Sequence, residues 1–190
     1  MKISLKDIAE LQPGVYLRAN ENARSAVYLL GIKDFDENLN LVEPSVIVDR
    51  SEVKDKYIIE ESHILFSARL VFNAFKLPKS KDVYVASNSF ILIKPDLEKI
   101  HSGYLRWLLN HPHTQKRLIQ LTQGTSRMPY ISQKKLGSLS IDLPELAVQK
   151  NIAALYDLLN KEKTIRQKLT LKREEYLQAL LLKKTMNNEQ

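Results

Sequence analysis

DLPELAVQKNIAALYDLLNKEKTIRQKLTLKREEYLQALLLKK, residues 142–184, decides how the chain is organised. Pro144 suits a first helical turn, where its missing N–H has no intrahelical partner to lose. Asp142 and Glu145 add negative charge at the positive end of the helix dipole. From Glu145 to Lys184 there is neither Gly nor Pro. If helical throughout, that stretch extends about 60 Å, far more than a helix packed across a small domain needs. Ile152, Leu155, Leu159, Ile165, Leu169, Tyr176 and Leu180 form a stripe near three-four spacing, interrupted by Glu162 and by Lys172-Arg173. Either the helix folds back over its own domain or it packs against another subunit, and its length favours the second.

Upstream of Asp142 the pattern is short and mixed. Ser4 followed by Asp7 resembles a helix start, with Ile8 and Leu11 on one apolar face and Pro13-Gly14 as the stop. Short β-rich runs follow at Val15–Leu17, Ala26–Leu30, Val46–Val48, Tyr57–Ile59, Ile64–Phe66, Val83–Val85 and Phe90–Ile93. Loop signals separate them at Asp34–Asn40, Pro78–Lys81 and Ser87–Ser89. Two helical stretches come next, one carrying Ile100, Tyr104, Leu105, Leu108 and Leu109, the other Leu118, Ile119 and Leu121, split by His111-Pro112-His113. Gln123–Tyr130 reads as a loop and Leu139–Leu143 as a last strand. The sequence therefore predicts an α+β domain over residues 1–143, a long helix over 144–184 and a frayed polar tail over 185–190.

At 190 residues the chain is long enough for one domain with an appendage or for two small domains. With 44% hydrophobic residues it can bury a core. The absence of cysteine excludes disulfides, thiolate metal sites and cysteine nucleophiles, and fits a reducing compartment. The start, Met1 to Asp7, has no long apolar run, and no stretch approaches the roughly 18 apolar residues of a membrane span. A cytoplasmic protein with no membrane association is the expectation.

The net charge of +7 is unevenly spread. Residues 1–61 hold 8 Lys/Arg against 12 Asp/Glu, residues 62–141 hold 12 against 3, and residues 142–190 hold 9 against 7. Neither 62–81 nor 99–141 contains a carboxylate. A surface of one sign steers polyanions and releases their condensed counterions, so nucleic acid is the partner this pattern favours.

Catalytic signals are sparse. His63, His101, His111 and His113 lack a zinc-ligand spacing, and the isolated glycines form neither a phosphate-binding loop nor a nucleophile elbow. No metal or cofactor is expected. One weak pattern, Glu52-Val53-Lys54 preceded by Asp34, Asp36 and Asp49, resembles the D…E-x-K arrangement of metal-dependent nucleases. The basic middle is richer. Arg69, Asn73, Lys76, Ser87, Asn88, Thr125, Ser126, Arg127, Tyr130 and Lys134 combine cations with amide and hydroxyl groups on or beside expected loops. Such groups read base edges or hold phosphates. Arg127 is the leading single candidate, between Thr125-Ser126 and Met128-Pro129 with no carboxylate near it in sequence.

The order of segments resembles the specificity subunit of type I restriction-modification enzymes. The resemblance is carried by Ile64–Ser67, Val85–Phe90, Tyr104-Leu105, Gly124–Ser126 with Tyr130–Ser132, Leu136–Leu143, and Pro144 with Gln149 and Ile152. It spans about residues 3–184 and is most specific in its C-terminal part. It implies a non-catalytic target recognition domain that reads one part of a double-stranded DNA site. It also implies a conserved helical region that helps position a methyltransferase subunit and, through it, a restriction subunit. Family members usually carry two recognition domains and two helical spacers, whereas this sequence holds one of each. Where the family commonly has a glycine soon after the Ile-Leu-Phe-Ser strand, this chain has Leu70-Val71-Phe72, and Val148 replaces the usual glutamate before Gln149. The resulting expectation is a half-length DNA specificity subunit whose long helix pairs as an antiparallel coiled coil with its own copy through the stripe named above. A stand-alone DNA-binding adaptor or repressor is the alternative, and a metal-dependent nuclease a remote third.

Overall fold

The computed structural model describes residues 2–20, 22–69, 71–122 and 129–186. In chain order its elements are strands β1 (Lys2–Ser4), β2 (Ala9–Pro13), β3 (Ala26–Leu30), β4 (Ile47–Asp49), β5 (Ile64–Ser67), β6 (Ala74–Phe75), β7 (Tyr84–Ala86) and β8 (Phe90–Pro95). Helices α1 (Ser102–Asn110), α2 (Pro112–Thr122) and α3 (Gln133–Gly137) follow, then strand β9 (Ser140–Asp142) and helix α4 (Leu146–Met186). The class is α+β, as expected. The chain divides into two units, Met1–Ala154 and Leu155–Gln190, so the first turns of α4 belong to the globular unit.

The centre of that unit is a four-stranded sheet in the order β2-β8-β5-β6, antiparallel throughout. Side chains alternate across a strand, and the alternation splits the core in two. Ile64, Phe66, Ile91 and Ile93 face one cluster with α1, α2 and the β1-β9 pair. Leu65, Phe90 and Leu92 face the other, where Phe75 packs against Phe35 at 4.3 Å between ring centroids. The second sheet, β4-β3-β7, adds a small aliphatic core of Val27, Leu29, Val48, Val53 and Val85.

The expected N-terminal helix does not form. Leu5–Asp7 makes a single 3-10 turn and Ala9–Pro13 is strand β2, paired with β8 from Ala9 opposite Pro95 to Pro13 opposite Ile91. A ready strand edge outweighs the weak helical pattern of a short segment, because pairing supplies hydrogen bonds and buries Leu11 on the sheet. The predicted strands at Val15–Leu17 and Tyr57–Ile59 shrink to isolated bridges, Val15 with Ser87 and Ile58 with Val85.

Gly14 marks the joint between the two sheets. Its N–H donates to the Phe90 carbonyl at 2.9 Å, and the next N–H, of Val15, donates to Ala86 at 2.9 Å. A β-carbon at Gly14 would clash with the Ser87 carbonyl oxygen and lie 2.7 Å from that of Ala86. Backbone cannot swing aside as a flexible side chain can. Gly14→Ala is therefore expected to lower unfolding free energy by about 3 kcal/mol, read from urea denaturation. A loss below about 1 kcal/mol would show that the joint yields.

Where the first turns of α4 meet α1, the contacts are close and polar. Gln149 is fully buried: its Oε1 accepts from the His101 N–H at 2.8 Å, and its Nε2 donates to the carbonyls of Pro144 at 2.8 Å and Lys99 at 3.2 Å. The Tyr104 hydroxyl donates to the Asp142 carbonyl at 2.7 Å, and burial holds its ionisation above the ordinary tyrosine range. A β-carbon on Gly103 would come within 2.8 Å of the Ala153 methyl, so this glycine lets the two helices approach.

The described part of the second unit, residues 155–186, is helix. α4 counts 41 residues, about 62 Å of axis. Beyond Ala154 its leucines, Ile165 and Tyr176 stand exposed, from Leu180 at 39% to Tyr176 at 65%. Ile152, the first member of the predicted stripe, is partly buried against the globular core instead. Of the predicted tail, residues 187–190 lie outside the described part of the chain.

Candidate nucleic-acid interface

The register of the four-stranded sheet brings four chain segments to one of its ends. β2 finishes there at Pro13, β5 finishes at Ser67, β8 begins at Phe90 and β6 begins at Ala74. The loops attached at that end are 14–18, 68–73 and 87–89, and backbone hydrogen bonds stitch them together. Phe90 N–H donates to the Ser87 carbonyl at 3.0 Å, closing a tight turn, and Ala68 N–H donates to the Ser89 carbonyl at 3.1 Å. A fourth segment joins from the far side: Ile131 N–H donates to the Ala68 carbonyl at 3.0 Å, and Arg69 and Tyr130 form an antiparallel bridge.

The base of this rim is held firmly. Buried Ser67 donates its hydroxyl to the Arg69 carbonyl at 3.0 Å, and its N–H donates to the Asn73 carbonyl at 2.8 Å, closing loop 68–73 at its neck. Phe72 turns inward and stacks on Phe66 at 6.4 Å. From the helices, Gln115 donates to the Phe72 carbonyl at 2.8 Å. Asn110 grips Ala74 with both ends of its amide, accepting from the N–H at 2.9 Å and donating to the carbonyl at 2.8 Å. Side chains on a rim fixed in this way are preorganised, so less ordering entropy is lost when a ligand binds.

Arg69 and Tyr130 project from the rim and touch. The guanidinium lies 5.5 Å from the centroid of the exposed Tyr130 ring, within cation–π range. Asn88 is the exposed member of its turn, whereas the Ser87 hydroxyl is buried with no hydrogen-bond partner among the described residues. Asn73 stands at the neck of its loop, half-buried. Lys134 is exposed on α3, whose N-terminal Ser132 hydroxyl accepts from the Lys135 N–H at 3.3 Å. Thr125, Ser126 and Arg127 lie outside the described residues.

Lys76 is elsewhere. It follows β6 at the opposite end of the sheet and lines a cleft with Glu60, Glu61, Ser62, His101 and Lys150. His63 beside that cleft is buried, accepts the Glu60 N–H on Nδ1 at 3.0 Å, and titrates below the ordinary histidine range because burial disfavours its charged form. Sequence reading missed the other side of the rim. Tyr16, 73% exposed, sits next to the Val15–Ser87 bridge, and Arg18 follows two residues on. The exposed aromatic and nearby arginine after Pro13-Gly14 were the available signal; the strand-like look of Val15–Leu17 masked it.

Charge follows geometry. The segments 13–18, 66–73, 85–90 and 129–135 contain no Asp or Glu, and they carry Arg18, Arg69, Lys134 and Lys135. Three acidic residues of the N-terminal third, Asp34, Asp36 and Asp49, are engaged in turns. Asp34, nearly fully buried, accepts the Gly31 N–H at 2.7 Å, and Asp36 accepts those of Asn38 and Asn40 at 2.9 and 2.8 Å. Asp49 accepts from Ser51 and Arg24, which holds its carboxyl down at about 2. Glu52 and Lys54 are exposed, and among the described residues no three His, Asp or Glu side chains gather as a metal site.

A rigid α+β scaffold with a cationic, carboxylate-free loop rim, continued into a long helix with an uncovered apolar face, defines a recognition module. The chain belongs to the type I restriction modification DNA specificity domain family, which it matches over residues 1–172. Solved structures agree on the fold. The HsdS subunit from Thermoanaerobacter tengcongensis superposes with a TM-score of 0.61 at 17% identity, covering 85% of this chain and 37% of that one. The type I restriction-modification S subunit from M. genitalium gives 0.57 at 14% identity, covering 85% and 39%. A chain from a structure of type I R-M system assembly and conformational transition gives 0.71 at 17% identity, covering 95% and 43%. This chain thus spans about two fifths of the length of the structures it matches. Comparison with curated proteins gives no significant match. Among the described residues, no helix is long and apolar enough to cross a membrane.

Proposed function

We propose that this chain is a DNA-recognition subunit of a type I restriction-modification system, acting in the cytoplasm and without catalysis of its own. The observation that carries this reading is the meeting, at one end of one sheet, of four separate segments whose sequences hold Arg18, Arg69, Lys134 and Lys135 and no carboxylate. A duplex is a dense line of negative charge, and such a rim can approach it without like-charge repulsion. Arg69, Asn88 and Tyr130 are contacts the described rim offers, with Tyr16 and Arg18 on its other side and Lys134 on the following helix. The reading extends to the expected architecture: residues 1–143 recognise one half-site, the helix over 144–184 pairs with its copy, and the pair holds a methyltransferase subunit and, through it, a restriction subunit. A two-fold dimer would present two rims in inverted order, so its site is an interrupted palindrome.

Selection of bound sequences from a random duplex pool tests this directly, and an inverted repeat with a spacer is the expected result. Arg69→Ala is expected to cost about 1–3 kcal/mol of affinity, measured by titration of the selected site against a scrambled one. Loss confined to the selected site marks Arg69 as a base reader; equal loss on both marks it as a phosphate contact. No loss on either would remove the rim from the interface. Co-purification of a methyltransferase subunit separates this reading from a stand-alone adaptor or repressor.

A further inference from the structure

Three charged residues fall at seam positions of α4, Glu162, Arg166 and Arg173, and Glu162 and Arg173 are each set among large apolar side chains. Glu162 follows Leu158-Leu159 and precedes Ile165, while Arg173 follows Leu169 and precedes Tyr176-Leu177. The places three and four residues from Arg173 hold Leu169, Thr170, Tyr176 and Leu177, so its own helix offers it no carboxylate there. Among the described residues it has no ion-pair partner. Glu162 takes both of its bonds from Arg166, at 2.7 and 2.8 Å, on the single oxygen Oε1. Among the described residues its second oxygen takes no bond.

Around these two charges the seam repeats in reverse. A two-fold between Gln167 and Lys168 carries Leu155 onto Leu180, Leu158 onto Leu177 and Leu159 onto Tyr176. It also carries Glu162 onto Arg173, where the charge changes sign. The heptad spacing agrees. Leu155, Glu162, Leu169 and Tyr176 form one seven-residue series, Leu159, Arg166, Arg173 and Leu180 the other, and the two-fold exchanges the series. Antiparallel helices mesh in that way, each core series of one helix facing the other series of its partner. Alignment in parallel would instead stack Glu162 on Glu162 and Arg173 on Arg173, which repels.

We infer that two copies of α4 pair antiparallel in the register that sets Glu162 of each against Arg173 of the partner subunit, closing two symmetric ion pairs beside the two-fold. The occupant of the exposed seam is a second copy of this chain. Arg166 lies opposite Leu169 of the partner subunit, and its aliphatic stem can cover that leucine while its head stays on Glu162. A charged layer in a largely apolar seam fixes register, because any slip leaves Arg173 desolvated and unpaired. This rests on the homodimer reading and adds its register.

Sedimentation equilibrium of the full chain and of Glu162→Arg, Arg173→Glu and the double variant tests it, with far-UV circular dichroism to confirm helix content. Each single reversal places like charges opposite each other twice and is expected to weaken dimerisation at least ~10-fold. The double reversal restores opposite signs and is expected to return within ~3-fold of the original. That recovery would also show that both substitutions are compatible with folding. A dimer that ignores the single reversals, or a double variant weaker than either single, overturns the register while leaving the dimer standing. A chain that stays monomeric at about 100 μM overturns the dimer reading and the register with it.

Discussion

Leu155→Asp combined with Leu169→Asp is expected to yield a monomer whose globular unit remains folded. Both leucines are more than half exposed in the single chain, so neither substitution disturbs intrachain packing. In the proposed antiparallel pair each would be buried, and a two-fold counts each change twice. Four leucines at roughly 1.5–3 kcal/mol apiece amount to at least about 6 kcal/mol, or about four decades in dissociation constant. Four desolvated carboxylates add to that. Sedimentation velocity over a concentration series checks the association, and the thermal unfolding of the globular unit checks its integrity. A double variant that still sediments as a dimer would remove the helix face from the interface.

Gln149→Leu is expected to damage the globular unit severely. It conserves size and leaves the His101 N–H and the Pro144 and Lys99 carbonyls in a buried site with nothing to bond. An unsatisfied buried group costs about 1–3 kcal/mol, so a loss of about 3–5 kcal/mol follows for the set. Urea denaturation measures it. Gln149→Glu keeps the acceptor for His101 but brings a carboxylate oxygen to two carbonyl oxygens, and is expected to be at least as harmful. If both variants keep the original midpoint, the clamp contributes nothing and another contact holds α4 to α1. The resemblance to specificity subunits had already picked out Gln149; its three bonds supply a physical reason for a glutamine, since a single amide must accept once and donate twice.

Much of the fold was readable wherever local pattern and final environment agree. Ile64–Phe66 and Phe90–Ile93 are continuous apolar runs, and both are strands buried on two faces. His111-Pro112-His113 splits α1 from α2 where a proline can begin a helix but not continue one. Reading failed where a distant partner decides. Ala9–Pro13 is a strand because β8 lies beside it, and Ala74-Phe75 is a strand only through β5 on one side and the Asn110 amide on the other. α3 is too short for periodicity to betray it.

The candidate interface divides in the same way. Arg69, Asn88, Tyr130 and Lys134 could be nominated by residue type and by the absence of nearby carboxylates, since charge is a property of composition. Nothing along the chain says that Lys76 belongs to the far end of the sheet or that Tyr16 belongs to the rim. Those assignments follow from strand register, which sets loops many residues apart side by side. The long helix stands at the other extreme. Its hydrogen bonds join residues four apart, so an unbroken run without Gly or Pro was enough to specify it from Leu146 onward. Sheet hydrogen bonds and buried clusters join residues remote in sequence, and only the folded chain could decide which of them meet.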